Sequence, residues 1–179
     1  MTIKIVQIDY EKEKQEKKLD KSSILRLETK KVSPKEFATK ELQEILKNME
    51  SAMNREEDGV ALAAPQIGIS KKIFIVREKV YSKEAKWKPL IFINPTLIKV
   101  SKKIKAAEEG CLSVRPFYGI TFRHSSVTIE AQDFQGQKFS FGASGLLAQI
   151  FQHETEHLDG ILFIDHAENL QKIIPNPKS

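Results

Sequence analysis

The chain is poor in cysteine. Cys111 is the single cysteine among 179 residues, so no disulfide can form within the chain. Proteins of oxidising compartments commonly depend on disulfides, and their exclusion here favours a reducing compartment. The thiol of Cys111 is therefore free for other chemistry.

The sequence also lacks a long hydrophobic run. A transmembrane helix needs about 20 predominantly apolar residues in succession, and no segment approaches that length. Residues 1–8 hold only a short apolar run that Lys4 interrupts, which does not fit a targeting segment. We expect a cytoplasmic protein with no membrane association.

Positive charge is in excess but is not concentrated. The 29 lysines and arginines outnumber the 24 aspartates and glutamates, which gives a formal net charge of +5. No compact basic run carries interleaved aromatic side chains, and this argues against a dedicated nucleic-acid site. Loose association with polyanions such as ribosomal RNA stays open.

The length fits one globular domain over residues 1–179.

Two segments have the apolar spacing of amphipathic helices. Residues 33–36, SPKE, supply an N-cap, a proline at the first helical position and a capping-box glutamate. Apolar residues follow at helical spacing as far as Met53, so we expect this helix to end before Asp58. A second helix is predicted to begin at Ser144 and to end at Gly160 in a left-handed cap.

The middle of the chain changes to the pattern of β-strands. Five β-rich runs are separated by proline, glycine, asparagine and aspartate, which indicates several antiparallel strands. They are residues 72–77, 90–94, 96–100, 127–131 and 138–141. A further segment that resembles a strand, ILFID, covers residues 161–165.

Two segments have little apolar content or no clear pattern. Residues 10–21 are dense in charge of both signs, so we expect a mobile insertion that forms a solvated loop or an exposed helix. Residues 170–179 contain two prolines and predict an irregular tail.

The run HETEH at residues 153–157 carries the strongest chemical signal. On a helix, His153 and His157 project from one face about one turn apart, and Glu154 can reach a metal-bound water. Leu146 and Ile150 precede them at helical spacing, so both histidines fall on the buried stripe. This pattern favours a metal hydrolase over a pair of surface histidines.

A catalytic site of this kind needs three protein ligands and one open position. The protease pattern HExxHxxGxxH is excluded, because Phe163 stands where its third histidine would be. A downstream carboxylate, Asp165 or Glu168, would make a small metallopeptidase. The remaining candidate is Cys111, whose thiolate would complete the ligand set. The residues alone leave both alternatives open.

Three motifs together closely resemble those of peptide deformylases. They are GVALAAPQIG at residues 59–68, EGCLS at 109–113 and QHETEHLDG at 152–160, in the order in which that family has them. The sequence between and beside the motifs is similar too, and the resemblance extends from about residue 25 to residue 165.

The resemblance implies a fold, an activity and a cofactor. Peptide deformylases have an α+β fold with mostly antiparallel sheets packed around a central helix that carries the HExxH motif. They remove the formyl group from N-formylmethionine at the start of new bacterial and organellar proteins and release formate. One divalent metal is implied per chain, iron(II) natively, with zinc, nickel or cobalt possible in purified protein. The expected partners are N-formyl peptides and, transiently, the ribosome with its nascent chain.

The resemblance also implies roles for individual residues. Cys111, His153 and His157 would hold the metal, and Glu154 would be the general acid and base. Gln66 and the backbone N–H of Leu112 would stabilise the oxyanion. Substrate contacts would come from Gly59, Val60, Ala61, Leu62, Glu109, Leu146, Gln149 and Ile150. A buried ion pair between Glu109 and Arg123 would brace the cysteine loop.

The chain departs from the family pattern at four positions. Ala61 replaces a second glycine of the first motif, and Glu156 replaces the usual aspartate before the second histidine. Gln149 stands at a usually apolar position of the methionine pocket. Tyr118 lies near the position at which many members have an arginine that meets the peptide. The changes at Ala61, Gln149 and Tyr118 motivate a second alternative, a catalytically silent relative that binds peptides or ribosomes.

Overall fold

The computed structural model describes residues 3–80 and 89–173. In this part of the chain there are three α-helices: α1 (Tyr10–Glu16), α2 (Lys40–Asn54) and α3 (Gly145–Leu158). The strands are β1 (Ala61–Ala63), β2 (Ile73–Val76), β3 (Leu90–Val100), β4 (Ile104–Gly110), β5 (Phe117–His124), β6 (Ser126–Gln132), β7 (Lys138–Ser144) and β8 (Glu168–Lys172). Short 3-10 helices cover Ile24–Arg26, Ala64–Ile67, Glu78–Val80 and Phe163–Asp165.

The strands form two sheets that pair only antiparallel neighbours. One has five strands in the order β1-β2-β3-β6-β7, and the other has three in the order β4-β5-β8. Helix α3 contacts strands of both sheets. The predicted α+β architecture with a central helix is therefore confirmed.

Aromatic packing fixes α3 against the larger sheet. Phe151 of α3 meets Phe74 of β2 and Phe92 of β3, with ring centroids 5.9 Å and 4.8 Å away. All three side chains are fully buried. Fully burying a side chain of this size contributes about 1.5–3 kcal/mol, so these contacts set the depth at which the helix lies.

The ends of α3 lie where the sequence places them. Ser144 is the N-cap residue, although its side chain makes no capping hydrogen bond. Gly160 has φ of +75°, and a Cβ there would lie 2.8 Å from the carbonyl carbon of Arg26. Only glycine satisfies both the left-handed backbone and this close approach.

The prediction that the first amphipathic helix begins at residues 33–36 is wrong. Helix α2 begins at Lys40, and the side chain of its N-cap, Thr39, accepts a hydrogen bond from the N–H of Leu42. Residues 33–36 form a turn in which the N–H of Ser33 donates to Glu36, so the capping pattern is real but local. Ala38 interrupts a helix there, because its φ is +57°.

The strand predictions are partly correct. The runs 90–94 and 96–100 are one strand, β3, which passes through Pro95 where the register with β6 shifts. A bulge tolerates proline because no ladder hydrogen bond is lost. The ILFID segment is not a strand, since residues 163–165 form a 3-10 helix. Strands β1, β4, β5 and β8 lie outside the predicted runs.

The predictions for the two segments of weak pattern have different outcomes. Within 10–21, residues 10–16 form the short helix α1, and its Glu13 is buried against Arg26. The segment is thus anchored to the body of the protein, where the ring of Tyr10 also packs against Phe117 with centroids 5.0 Å apart. The irregular tail is wrong for residues 170–172, which lie in β8, and residues 174–179 lie outside the described part.

No helix within residues 3–80 and 89–173 has the length and apolar character that a crossing of the bilayer requires.

Candidate metal centre and active site

Three potential metal ligands converge between the end of β4 and the middle of α3. The Sγ of Cys111 and one ring nitrogen each of His153 and His157 lie within 4.8 Å of one another. The two histidines are one helical turn apart, and the Sγ of Cys111 lies 3.1 Å from Nε2 of His157. A thiolate with two imidazoles suits a divalent transition metal.

The carboxylates proposed as alternative third ligands lie elsewhere. Asp165 accepts a hydrogen bond from Nη1 of Arg26 at 2.7 Å and another from the N–H of Leu162. Glu168 is exposed in β8. In the described part of the chain, the group of ligand-type side chains contains Cys111 and neither of these two. The geometry therefore does not favour the small metallopeptidase.

The pKa shifts of the two histidines indicate that the site favours one positive charge. Burial disfavours a charged His153, but hydrogen bonds to Cys111 and Glu109 raise its pKa well above 6.5. Burial, reinforced by the charge of His153, lowers the pKa of His157 well below 6.5. Without a metal, these opposite shifts favour a protonated, positively charged His153 beside a neutral His157. A divalent cation would replace that proton, as metal binding commonly does.

Glu154 is a buried carboxylate that the surrounding protein leaves partly unsatisfied. It is 4% exposed, and its Oε2 has no hydrogen-bond partner among the described residues. Burial raises its pKa to about 7. A buried carboxylate that titrates near neutrality suits proton transfer.

The side chain of Gln66 points its amide nitrogen at the cysteine. Its Oε1 accepts a hydrogen bond from the N–H of Ala63 at 2.8 Å, which fixes the orientation of the amide. Its Nε2 then lies 3.2 Å from Oγ of Ser113 and 3.6 Å from Sγ of Cys111. A hydrogen-bond donor is thus held beside the candidate metal position. Apart from its place in EGCLS, Ser113 has no feature in the sequence that marks it as part of the site.

A cavity of about 240 Å³ opens onto these groups. Seven of the eight predicted substrate contacts line it: Gly59, Val60, Ala61, Glu109, Leu146, Gln149 and Ile150. Leu62 does not, because its fully buried side chain packs in the core under α2. Cys111, Gln66, Leu112, His153 and Glu154 also line the cavity.

Arg115 is part of the site, although the sequence did not indicate it. It lines the cavity and makes ion pairs with Glu56 at 2.7 Å and Asp58 at 2.5 Å. These bonds tie the cysteine loop to the segment that precedes Gly59. Nothing in the run VRPF at residues 114–117 signals this link.

The expected ion pair behind the cysteine loop is present. Arg123 donates from Nε and Nη2 to the two carboxylate oxygens of Glu109, at 2.6 Å and 2.8 Å. It also contacts Glu156 of α3. Oε2 of Glu109 lies 3.0 Å from Nδ1 of His153. The network joins β4, β5 and the metal-site helix.

Comparison with known proteins identifies the family. The model of the family described as polypeptide deformylase matches residues 4–173. A peptide deformylase of Borreliella burgdorferi is 37% identical over 151 residues, which cover 84% of this chain and 86% of the relative.

Solved structures are also similar to this chain. A peptide deformylase of Acinetobacter baumannii bound to Met-Ala-Ser has a TM-score of 0.76 at 29% identity, covering 93% of this chain and 99% of that one. Peptide deformylase 1B of Arabidopsis thaliana, in complex with an inhibitor, has a TM-score of 0.76 at 31% identity, covering 93% and 82%. The chain therefore belongs to the peptide deformylase family and is a hydrolase that removes the formyl group from the N-termini of new proteins.

Proposed function

We propose that Cys111, His153 and His157 hold a divalent metal and that Glu154 moves the proton during hydrolysis of the formyl amide. The observation that carries this proposal is that Glu154 lines the same cavity as Cys111 and His153, while its buried Oε2 has no hydrogen-bond partner in the described part of the chain. A divalent cation in such a site lowers the pKa of a water ligand towards neutrality.

Glu154 acts first as a base and then as an acid. With a pKa of about 7, it accepts a proton from the attacking water and later delivers that proton to the departing amine. The formyl group leaves as formate. Burial keeps bulk water from competing for the proton.

Gln66 and Leu112 stabilise the oxygen of the formyl group as negative charge develops. The Nε2 of Gln66 is held in place before the reaction, because Oε1 of the same amide is bonded to the N–H of Ala63. The N–H of Leu112 follows the ligand cysteine directly in the chain. Donors fixed in advance need no reorganisation in the transition state.

Strand β1 recognises the peptide backbone. It is the edge strand of the five-stranded sheet and pairs with β2 on one side only among the described strands. An extended peptide can add to such an edge by main-chain hydrogen bonds, which do not depend on its sequence. This mode suits an enzyme that acts on many different proteins.

The native metal, the partner and the location are finer parts of the proposal. We assign iron(II) as the native metal, on the family resemblance and on a ligand set that suits iron and zinc alike. We also assign cytoplasmic action on nascent chains at the ribosome, with the net charge of +5 favouring transient contact with ribosomal RNA.

The test is formate release from formyl-Met-Ala-Ser by protein loaded anaerobically with iron(II) or nickel. We expect Glu154→Gln to bind metal and lower kcat by about 100-fold or more, and Cys111→Ala to lose metal. Tight binding of the formyl peptide by loaded wild-type protein without formate would instead indicate a silent relative. Elemental analysis of anaerobically purified protein tests the assignment of iron.

A further inference from the structure

The small sheet exposes an apolar surface. In β4 and β5 the even-numbered residues lie opposite one another and share one side, with Ala106 facing Phe122 and Gly110 facing Tyr118. The apolar residues of this side are Ile104, Ala106, Tyr118, Ile120 and Phe122, and we call them the outer face. Glu108 lies on the same side, opposite Ile120.

The other side of the sheet is covered. Glu109, Thr121 and Arg123 are buried on that side. Glu109 contacts His153 of α3, and Arg123 contacts Glu156 of α3. On the outer face, by contrast, Ile104 and Phe122 are each 54% exposed and Tyr118 is 37% exposed. A contiguous group of exposed apolar side chains on one sheet is a common mark of an interaction surface.

The outer face is continuous with the active-site cavity through Tyr118. Its ring lies over Gly110, where a Cβ would come within 2.3 Å of the ring carbon Cε1. Both Tyr118 and Gly110 line the cavity. The same side chain is thus part of the cavity wall and the first apolar residue of the outer face. A chain that leaves the cavity at Tyr118 meets Ile120 and Phe122 next.

We propose that the outer face binds the part of the nascent peptide beyond its third residue, and that it prefers apolar side chains there. This inference rests on the proposed function, because it needs the formyl end of the peptide in the cavity. From Tyr118 to Phe122 the strand spans about 13 Å, at about 3.3 Å per residue, so an extended peptide would lay about four residues along it.

The charges beside the outer face fit the same ligand. Glu108 on β4 and Glu168 on β8 both lie opposite Ile120 and are exposed. Carboxylates at the borders of an apolar strip disfavour acidic peptides and tolerate lysine. The expected ligand is therefore an extended, neutral or basic segment with apolar side chains.

Two peptides of equal length and charge test the proposal: formyl-Met-Ala-Ser-Lys-Leu-Val-Leu-Lys and the same peptide with Ser-Ser-Ser in place of Leu-Val-Leu. With wild-type protein we expect kcat/KM to be about tenfold higher for the apolar peptide, as burial of one large side chain would give. Phe122→Thr should remove the difference. Ile98→Thr, at an equally exposed position of β3, should keep it.

Formyl-Met-Ala-Ser separates this inference from the proposed function. All three proteins should cleave it equally, and failure of the wild-type enzyme on it would count against the function itself. In that case, binding of labelled versions of the two octapeptides to Glu154→Ala protein tests the outer face without turnover. Equal rates and equal binding for the two octapeptides would overturn the inference. A second result would also overturn the inference: the wild-type protein is a dimer, and Phe122→Thr makes it a monomer without changing the kinetics. The outer face would then be an interface between two copies of the chain.

Discussion

The Nδ1 atom of His153 lies 3.0 Å from Oε2 of Glu109. In a metal-loaded site this contact places the ring proton on Nδ1 and leaves Nε2 free for the metal. Glu109 is in turn held by Arg123 of β5. The orientation of the His153 ring, a proposed metal ligand, is therefore set by a carboxylate on one strand and an arginine on the next.

Replacing Glu109 should weaken metal binding. Glu109→Gln keeps an acceptor for His153 but loses the charge that both His153 and Arg123 require. We expect the metal Kd to rise by about 10-fold to 100-fold, as for other partners of metal-ligating histidines. Competition with a chelator measures the change. Glu108→Gln is the control at the neighbouring exposed position, and an equal loss there would contradict a specific role for Glu109.

Arg123 should be required for stability. Its side chain is buried with Glu109, and Arg123→Met would leave that carboxylate buried without its partner. Breaking a buried pair from one side costs about 3–5 kcal/mol, which urea unfolding measures. Arg115→Met removes an arginine whose pairs are partly exposed, and about 1 kcal/mol or less is expected there. Equal costs would show that the buried network contributes little.

The same network should make stability depend on pH. Burial alone would raise the pKa of Glu109, but the hydrogen bonds from Arg123 and His153 outweigh it and hold the pKa well below 4.5. The resulting stability is fully present above about pH 4.5 and is lost as the pH falls. Unfolding of the metal-free protein between pH 6 and pH 3 should show a steeper loss for wild type than for Arg123→Met. Parallel curves would contradict this assignment.

Gly110 should be intolerant of a side chain because of Tyr118. A Cβ at Gly110 would overlap the tyrosine ring, so Gly110→Ala must displace either the ring or the neighbouring Cys111. We expect kcat/KM for formyl-Met-Ala-Ser to fall by roughly tenfold or more, a loss typical of small displacements at a catalytic site. Tyr118→Ser should have little effect alone and should restore activity in the double variant. Additive losses would show that the ring is not the obstacle.

The motifs and the metal-site helix could be predicted because short-range spacing encodes them. His153 and His157 follow Leu146 and Ile150 on one helical face, and Gly160 marks the end of that helix. The smaller sheet could not be predicted in the same way. Strand β4 reads IKAAEEG, in which Ile104, Lys105, Ala106 and Glu108 are exposed and the fully polar Glu109 is buried, so it has no apolar alternation. It is ordered by pairing with β5.

Contacts between residues that are distant in the chain, such as those of Arg115, could not be predicted either. Its partners, Glu56 and Asp58, are more than 50 residues away in the chain, and nothing local distinguishes this arginine from other surface cations. The predicted start of the helix at residues 33–36 failed for a similar reason. The N–H of Ala38 donates to the carbonyl of Phe134, so a long-range bond holds a backbone that the local pattern would have made helical.

Gln149 should lower the affinity for methionine at the first position. Its Nε2 donates to the carbonyl of Glu108 at 2.8 Å, which holds a polar amide in the wall of the cavity. Gln149→Leu replaces that amide with an apolar side chain. We expect KM for formyl-Met-Ala-Ser to fall by up to about tenfold with kcat unchanged, because the gain is in uniform binding of the side chain. Formyl-Ala-Ala-Ser is the matched substrate control, since its methyl group is too short to fill the pocket and its kinetics should not change. An equal gain for both peptides would mean that Gln149 acts through the position of β4, and not through contact with the methionine side chain.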